Sequence, residues 1–498
     1  MPNTLAYIAL IVWPIAILIM FRRLSTERAL IWSLLGGYLL LPPVARFDPP
    51  LIPLLDKATI PTLTAFVVCA QLYGRGAIAL PKSMLARLLL LLFVASPIGT
   101  VLTNSEPILF AVGGIPGLSI KDSLSAMLSQ VITVLPFILA GNLLSSERAQ
   151  REIVTALVVA GLAYSVPMLI EVRMSPQINV WVYGFFQHGF DQMMRYGGYR
   201  PIVFLEHGLW VAFFALMAFC AALVTARLAP PEQRVRRIWV TIYLGVMLVL
   251  CKSASPLIYA CLLLPLIMFA SGRTQLRVAA VLAMIVVAYP LLRSLELVPI
   301  EGILSLARSI DLDRASSLQF RLENEEMLLA HASNRPLFGW GSWGRNFVHD
   351  FATGHRITTV DGRWIIVIGI YGYLGYAAEF GLLALPVLAL LRQTARQGAV
   401  SPYAAPLCLI FAANLVDLLP NATLIPFTWV IAGSILGYAE ALKAQTGLVH
   451  DVRPAAGFKR RAKPGPAPAE AVRKVGARTS LRPVARPCEA SGPREADR

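Results

Sequence analysis

The sequence predicts an all-α protein: a polytopic transmembrane helix bundle of about 12–13 spans with one large extracytoplasmic loop that contains short helices. Three observations carry this. Apolar residues make up 57% of the 498 residues and charged residues only 14%, with a mean hydropathy of +0.65; soluble domains hold about a half and a quarter. The apolar residues gather into charge-free runs such as Leu5 to Met20, Leu88 to Val101 and Leu209 to Val224. As helices, runs of about 20 residues cross the ~30 Å of hydrocarbon in a bilayer. Finally, Lys and Arg concentrate in every second loop. A large soluble domain is excluded, and a β-barrel is disfavoured because barrel strands alternate apolar and polar residues.

Read in order, the segments fall near 5–21, 29–44, 60–74, 84–102, 124–144, 153–171, 203–226, 238–251, 255–271, 277–292, 364–391, 402–418 and 422–442. The first has no basic residue before it and Arg22 and Arg23 after it. It therefore reads as a retained span with its N-terminus outside, not as a cleavable signal. Arg75, Lys82 and Arg87 follow the third segment, Arg148 and Arg151 the fifth, and Arg227, Arg234, Arg236 and Arg237 the seventh. Arg273 and Arg277 follow the ninth, and Arg392 and Arg396 the eleventh. These loops are expected to face the cytoplasm.

The organisation expected is a first bundle at 1–292 with an outside loop at 172–201, a large outside loop at 293–363, three last spans at 364–443, and a basic tail at 444–498. The large loop is predicted to carry a helix from Arg314 to Ala332, then a turn-rich stretch, NRPLFGWGSWGRN. The tail is rich in Pro, Ala and Arg and reads as disordered and cytoplasmic. From Asp451 onward it holds twelve Lys/Arg and five Asp/Glu, a net of +7 out of +16 for the chain. Anionic lipid accounts for such a tail, so no nucleic-acid partner is inferred. Six scattered cysteines without CxxC or metal-ligand spacing read as small core residues.

The outside segments carry arginines against the usual charge bias. Arg195 and Arg200 precede the seventh span in RYGGYRPIVFLEHG, and Arg314 and Arg321 lie seven residues apart on one face of the loop helix. Guanidinium groups at span mouths suit a phosphate, which they meet in bidentate fashion. The alternative is that they reach headgroups or pair with Asp311, Asp313, Glu323 and Glu325. Glu206 and His207 open the seventh span, and Lys252 with Ser253 separates the eighth and ninth. Asp417, near the outer end of the twelfth, reads as a cap for the turn LPNA. In VDGRWIIVIGIYGYLGYAAEFG, Asp361 opens a glycine-rich span in which Gly372 and Gly375 let helices pack closely.

Together these pieces resemble the O-antigen ligase and polymerase superfamily (Wzy/WaaL-like membrane proteins). The resemblance rests on RPIVFLEHG from Arg200 to Gly208, on the polar turn Lys252–Ser253, and on Arg321 followed by Pro336, Leu337, Gly339 and Gly341. It rests also on the spacing of Gly372 and Gly375 from Asp361, which stands where the family has His. It covers 195–390; elsewhere only hydropathy agrees.

What the resemblance implies is glycan transfer from a polyprenyl diphosphate to an acceptor hydroxyl on the periplasmic face of a bacterial inner membrane, without nucleotide or metal cofactor. Arg200 and Arg321, with Arg314 and Arg195 in second place, would bind the diphosphate. Asp361, or else His355, would be the catalytic base. His207, Lys252 and Trp364 would bind substrate. The partners implied are a polyprenyl-diphosphate-linked oligosaccharide, membrane lipid, and a chain-length regulator with export machinery. A polymerase of O-antigen or exopolysaccharide repeats comes first, and a ligase to lipid A core second. A lipid-linked oligosaccharide flippase or other transporter is a different class, disfavoured because no internal repeat is evident. A non-catalytic assembly subunit is a third.

Overall fold

A computed structural model describes residues 1–49, 53–195, 197–310, 312–398 and 400–451. Sixteen α-helices dominate it: α1 Thr4–Arg23, α2 Thr26–Leu40, α3 Thr59–Tyr73, α4 Met84–Leu102, α5 Ile120–Leu143, α6 Glu147–Met174, α7 Ile178–Tyr183, α8 Gly208–Arg227, α9 Pro231–Leu250, α10 Ala254–Phe269, α11 Gly272–Ser294, α12 Ile300–Ile310, α13 Leu312–Ser333, α14 Arg363–Gln397, α15 Ala404–Asp417 and α16 Pro426–Asp451. Strand is confined to two antiparallel hairpins, β1 Ile108–Leu109 with β2 Gly114–Ile115, and β3 Met194–Arg195 with β4 Gly198–Tyr199. Seven helices (α1, α4, α5, α6, α8, α11 and α14) are long and apolar enough to cross a membrane, which fits a multi-pass membrane protein. α10 and α15 are apolar but shorter. The tail from 452 lies outside the described residues, and helix α16 continues through 444–451.

α8 sits at the centre of the bundle, with 83% of its most apolar stretch buried, against α6, α9 and α10. α16 lies against α5 at very short range. A side chain at Gly433 or Gly437 would strike the backbone of Phe137 or Gly141, so these two glycines, four apart, let the backbones touch.

The contacts sort the loops into two ends. At one end Lys57 reaches Phe204, Arg200 reaches Ser253, Arg321 reaches Pro420, and Arg335 reaches Thr103. Arg345 joins Trp340 to Pro116 and Glu106 there. At the other end Arg28 pairs with Glu152, the amides of Lys82 and Ser83 donate to Glu440, and Arg227 and Arg273 cap the carbonyls of Ala270 and Gly398.

The segment expected as one span at 364–391 is not a straight helix. Gly372 has φ 69° and ψ −171°, which breaks α14 in two. Arg363 and Glu379 would stand about 24 Å apart along a straight helix, yet their side chains meet at 2.7 Å twice. The leg 363–371 must therefore fold back beside the leg that follows. The break leaves backbone groups without helical partners, and PLFGWG supplies them. Trp340 and Gly341 amides donate to the carbonyls of Gly369 and Ile370, at 2.8 and 3.0 Å, and the Tyr373 amide donates to Pro336 O at 2.7 Å. Non-helical backbone beside hydrocarbon is tolerated where protein satisfies it. Gly372→Ala would force a side chain into a backbone region open only to glycine, and into the Leu337 carbonyl. We expect it to lower stability by about 2 kcal/mol or more, read as an earlier melting transition of the purified protein; an unchanged melting temperature would rule out the break.

Candidate functional site

The stretch 201–207 is apolar enough to read as the start of a span, but it is a tied loop, and α8 begins only at Gly208. Glu171 Oε2 accepts the amides of Ile202 and Val203, both at 2.8 Å, and its Oε1 accepts that of Ile178 at 3.1 Å. Tyr164 OH accepts the Phe204 amide. Gln187 donates to the carbonyls of Val203 and Leu205, and Lys57 Nζ donates to that of Phe204 at 2.9 Å. Val203 is held at φ 50°. With its backbone groups taken up by other segments, the loop holds the two residues at its edges, Arg200 and His207, in fixed positions.

Arg200 is 1% exposed. Its Nη2 donates to Ser253 Oγ at 2.7 Å, its Nε has no partner, and among the described residues no carboxylate pairs with it. Burial first, then Arg195, lowers its pKa to about 10, so it stays charged at neutral pH. Its stem crosses the first residue of α8: a side chain at Gly208 would meet Arg200 Nε at 2.6 Å. The positive end of that helix opposes a cation and favours an anion. A buried, uncompensated guanidinium at this point has an anion as its natural complement.

His207 caps α8. Its Nδ1 accepts the Leu209 amide at 3.0 Å, which puts the proton on Nε2, 3.2 Å from Gln192 Oε1. Burial, then the charges of Arg200, His188, Arg195 and Arg321, push its pKa down to about 3. The ring is neutral, and the charges of three of the sequence-predicted arginines act on it. Arg195 lies on β3, and its carbonyl accepts Lys252 Nζ at 3.1 Å. Lys252, at φ 49°, thus ties the turn between α9 and α10 to the hairpin.

On α13, Arg321 Nε is 3.4 Å from Asp361 Oδ2, with both side chains about 40% exposed (39% and 41%). Its Nη1 also lies 3.4 Å from Pro420 O and from Asn421 Oδ1. Asn421 and Thr423 donate to the fully buried Asp417. Asp361 is therefore a solvent-facing carboxylate steadied by an arginine, beside a turn locked by a second carboxylate. His355 is exposed on a separate loop, where its backbone bonds Asp350 and Thr353. Arg314 lies on α13, and its side chain is outside the described residues.

Trp364 is fully buried, edge-on to Tyr289, and its indole N–H donates to Glu325 Oε1 at 3.3 Å. With no exposed face, it supports Glu325, a residue the sequence marked only as a partner for arginine. Glu325 is 8% exposed with Oε2 unpartnered. Burial, reinforced by Asp361 and opposed by the Trp364 bond and by Arg293 and Arg321, raises its pKa to about 7. A raised carboxyl contributes stability below its unfolded pKa of about 4.3 that is lost as pH rises through the folded value. The wild type should therefore lose thermal stability between about pH 4.3 and 8 relative to Glu325→Gln. Parallel melting curves across that range would contradict the assignment.

Among the described residues no three His, Cys, Asp or Glu side chains gather to hold a metal ion. No protein-family model matches the chain, and no curated protein matches it either.

Proposed function

We propose that this chain transfers a glycan from a polyprenyl-diphosphate-linked oligosaccharide to an acceptor hydroxyl, most readily as a polymerase of repeat units. In this reading it crosses a bacterial inner membrane about thirteen times, with the end bearing Arg200 in the periplasm and the basic tail in the cytoplasm. The observation that carries the reading is Arg200: a guanidinium buried at a helix N-terminus with no acid paired to it among the described residues, while the charges of Arg195 and Arg321 also act on the neutral His207. A diphosphate supplies the missing charge.

In the reaction, the acceptor oxygen bonds to the anomeric carbon as that carbon's bond to the diphosphate oxygen breaks. The hydroxyl proton passes to Asp361. The lipid diphosphate leaves with the bonding electrons, its charge met by Arg200 and Arg321.

The test is purified protein in nanodiscs given lipid-diphosphate-linked repeat units from its own host, with chelator and without nucleotide sugar. A ladder of products, abolished in Arg321→Ala and slowed about 100-fold or more in Asp361→Asn, supports a polymerase. Single transfer to lipid A core would make it a ligase. No transfer by protein shown to be folded would refute the reading.

A further inference from the structure

A second cavity opens at the same end of the bundle, away from the Arg200 loop. It encloses about 720 Å³ between the α2–α3 connection, the outer half of α5, Trp343 of the large loop and the start of α16. We propose that it is a binding site for a neutral oligosaccharide. As the acceptor site of a glycan transferase the proposal rests on the preceding reading; as a saccharide site it stands alone.

Size is the first argument. Ligand pockets run from about 300 to 1,000 Å³, and a space this large is not a packing defect or a single water site. Its chemistry is the second. Ser125, Ser129 and Thr133 line it from α5, four residues apart and so on one helix face. Thr133 bonds its own helix at Ser129 O, whereas the exposed Ser125 and Ser129 hydroxyls have no partner among the described residues. A row of free hydroxyls offers alternating donors and acceptors to another polyhydroxylated molecule.

Two tryptophans, Trp343 and Trp429, also line it. Trp343 stands 73% exposed at the wall with φ 63°, a backbone setting costly for a bulky residue. An indole held out by strained backbone presents a flat apolar face to a sugar ring. Across the cavity Trp429 is 1% exposed, and its indole N–H has no partner among the described residues. Orphaned buried donors are rare and expensive, and a ligand hydroxyl accepts that bond.

Charge decides the class of saccharide. Arg46 and Asp48, both exposed, bring one charge of each sign, Asp56 accepts the amides of Ala58 and Thr59 at the start of α3, and the guanidinium of Arg363 is neutralised by Glu379. Nothing in the lining calls for a phosphate. The wall formed by Ala58, Leu424, Ile425 and Pro426 is shared with a smaller cavity bordered by Glu206 and Trp210. Glu206 of that smaller cavity directly precedes His207 in the chain.

The experiment is a direct titration without turnover. Protein in nanodiscs receives phosphate-free repeat-unit oligosaccharide cut from the host's own surface polysaccharide, followed by tryptophan fluorescence and saturation-transfer NMR. Saturable binding is expected, weakened about tenfold in Trp343→Ala and in the Ser125→Ala/Ser129→Ala double variant. It should be unchanged in Arg200→Ala. Both the exposed tryptophan and the two serines can be removed without opening the core. Absence of saturable binding, or equal affinity in these variants, would overturn the proposal. Binding lost in Arg200→Ala would overturn it too, since the sugar would then sit at the arginines. If transfer fails but this titration pattern holds, the transferase reading falls and the saccharide site remains. If transfer occurs without it, the reverse is true.

Discussion

Arg200→Ala is expected to lower glycan transfer by about 100- to 1,000-fold, the usual loss when one preorganised donor to a developing negative charge is removed. The effect should fall on turnover, because the charge on the diphosphate oxygen grows as the anomeric bond breaks. Arg200→Lys should recover little. An ammonium offers no planar fork, and the bond to Ser253 depends on the guanidinium reaching across α8. Binding gives an independent readout. A lipid diphosphate at 100 times its Kd should stabilise the wild type by about 2.7 kcal/mol, and the alanine variant hardly at all. Without ligand, the alanine variant should melt no earlier than wild type, because it removes a buried cation that has no counter-ion among the described residues. A destabilised variant with normal transfer would show Arg200 to be scaffolding, and the diphosphate site would have to lie elsewhere.

How far the sequence reveals this depends on the range of the interactions involved. Thirteen of the sixteen helices fall where the apolar runs predict them, because burial in hydrocarbon or protein is a property of each run alone. Their ends are less legible. α6 begins at Glu147, not near 153, since a charged first turn still belongs to the helix though not to the apolar run. α2 stops at Leu40 because Pro42 and Pro43 cannot continue it. The start of α8 is misjudged for a different reason. Ile202 to Leu205 is as apolar as any span, and only partners from Lys57, Tyr164, Glu171 and Gln187 hold it as a loop.

The candidate site divides in the same way. Arginines against the charge bias mark Arg200 and Arg321 from sequence, and the charges of both act on His207 in the fold. The role of Glu325 is invisible there. Its environment comes from Trp364, thirty-nine residues on, and no spacing rule joins the two. PLFGWG reads as part of a turn-rich stretch and Gly372 as a packing position, and only the structure reveals that they complete one another's backbone.

That completed backbone makes Arg363 the most consequential residue for stability. Arg363→Met is expected to cost about 3–5 kcal/mol, because Glu379, fully buried, loses both of its bonds to the guanidinium. The double variant Arg363→Met/Glu379→Met should recover most of that loss, since apolar pairs often replace buried ion pairs at no net cost. Melting temperature on the four corners of this cycle measures the coupling. Function should not follow stability. The Arg363 pair ties the folded-back leg of α14 to the leg that follows, and Asp361 lies two residues before that leg. Without the tie, Asp361 loses its fixed place opposite Arg321. The double variant should therefore be stable yet still impaired in transfer, by about 100-fold if a misplacement near 1 Å is typical. If stability and transfer return together, packing alone sets the position of Asp361. If neither single variant is destabilised, the two legs of α14 are not held by this pair.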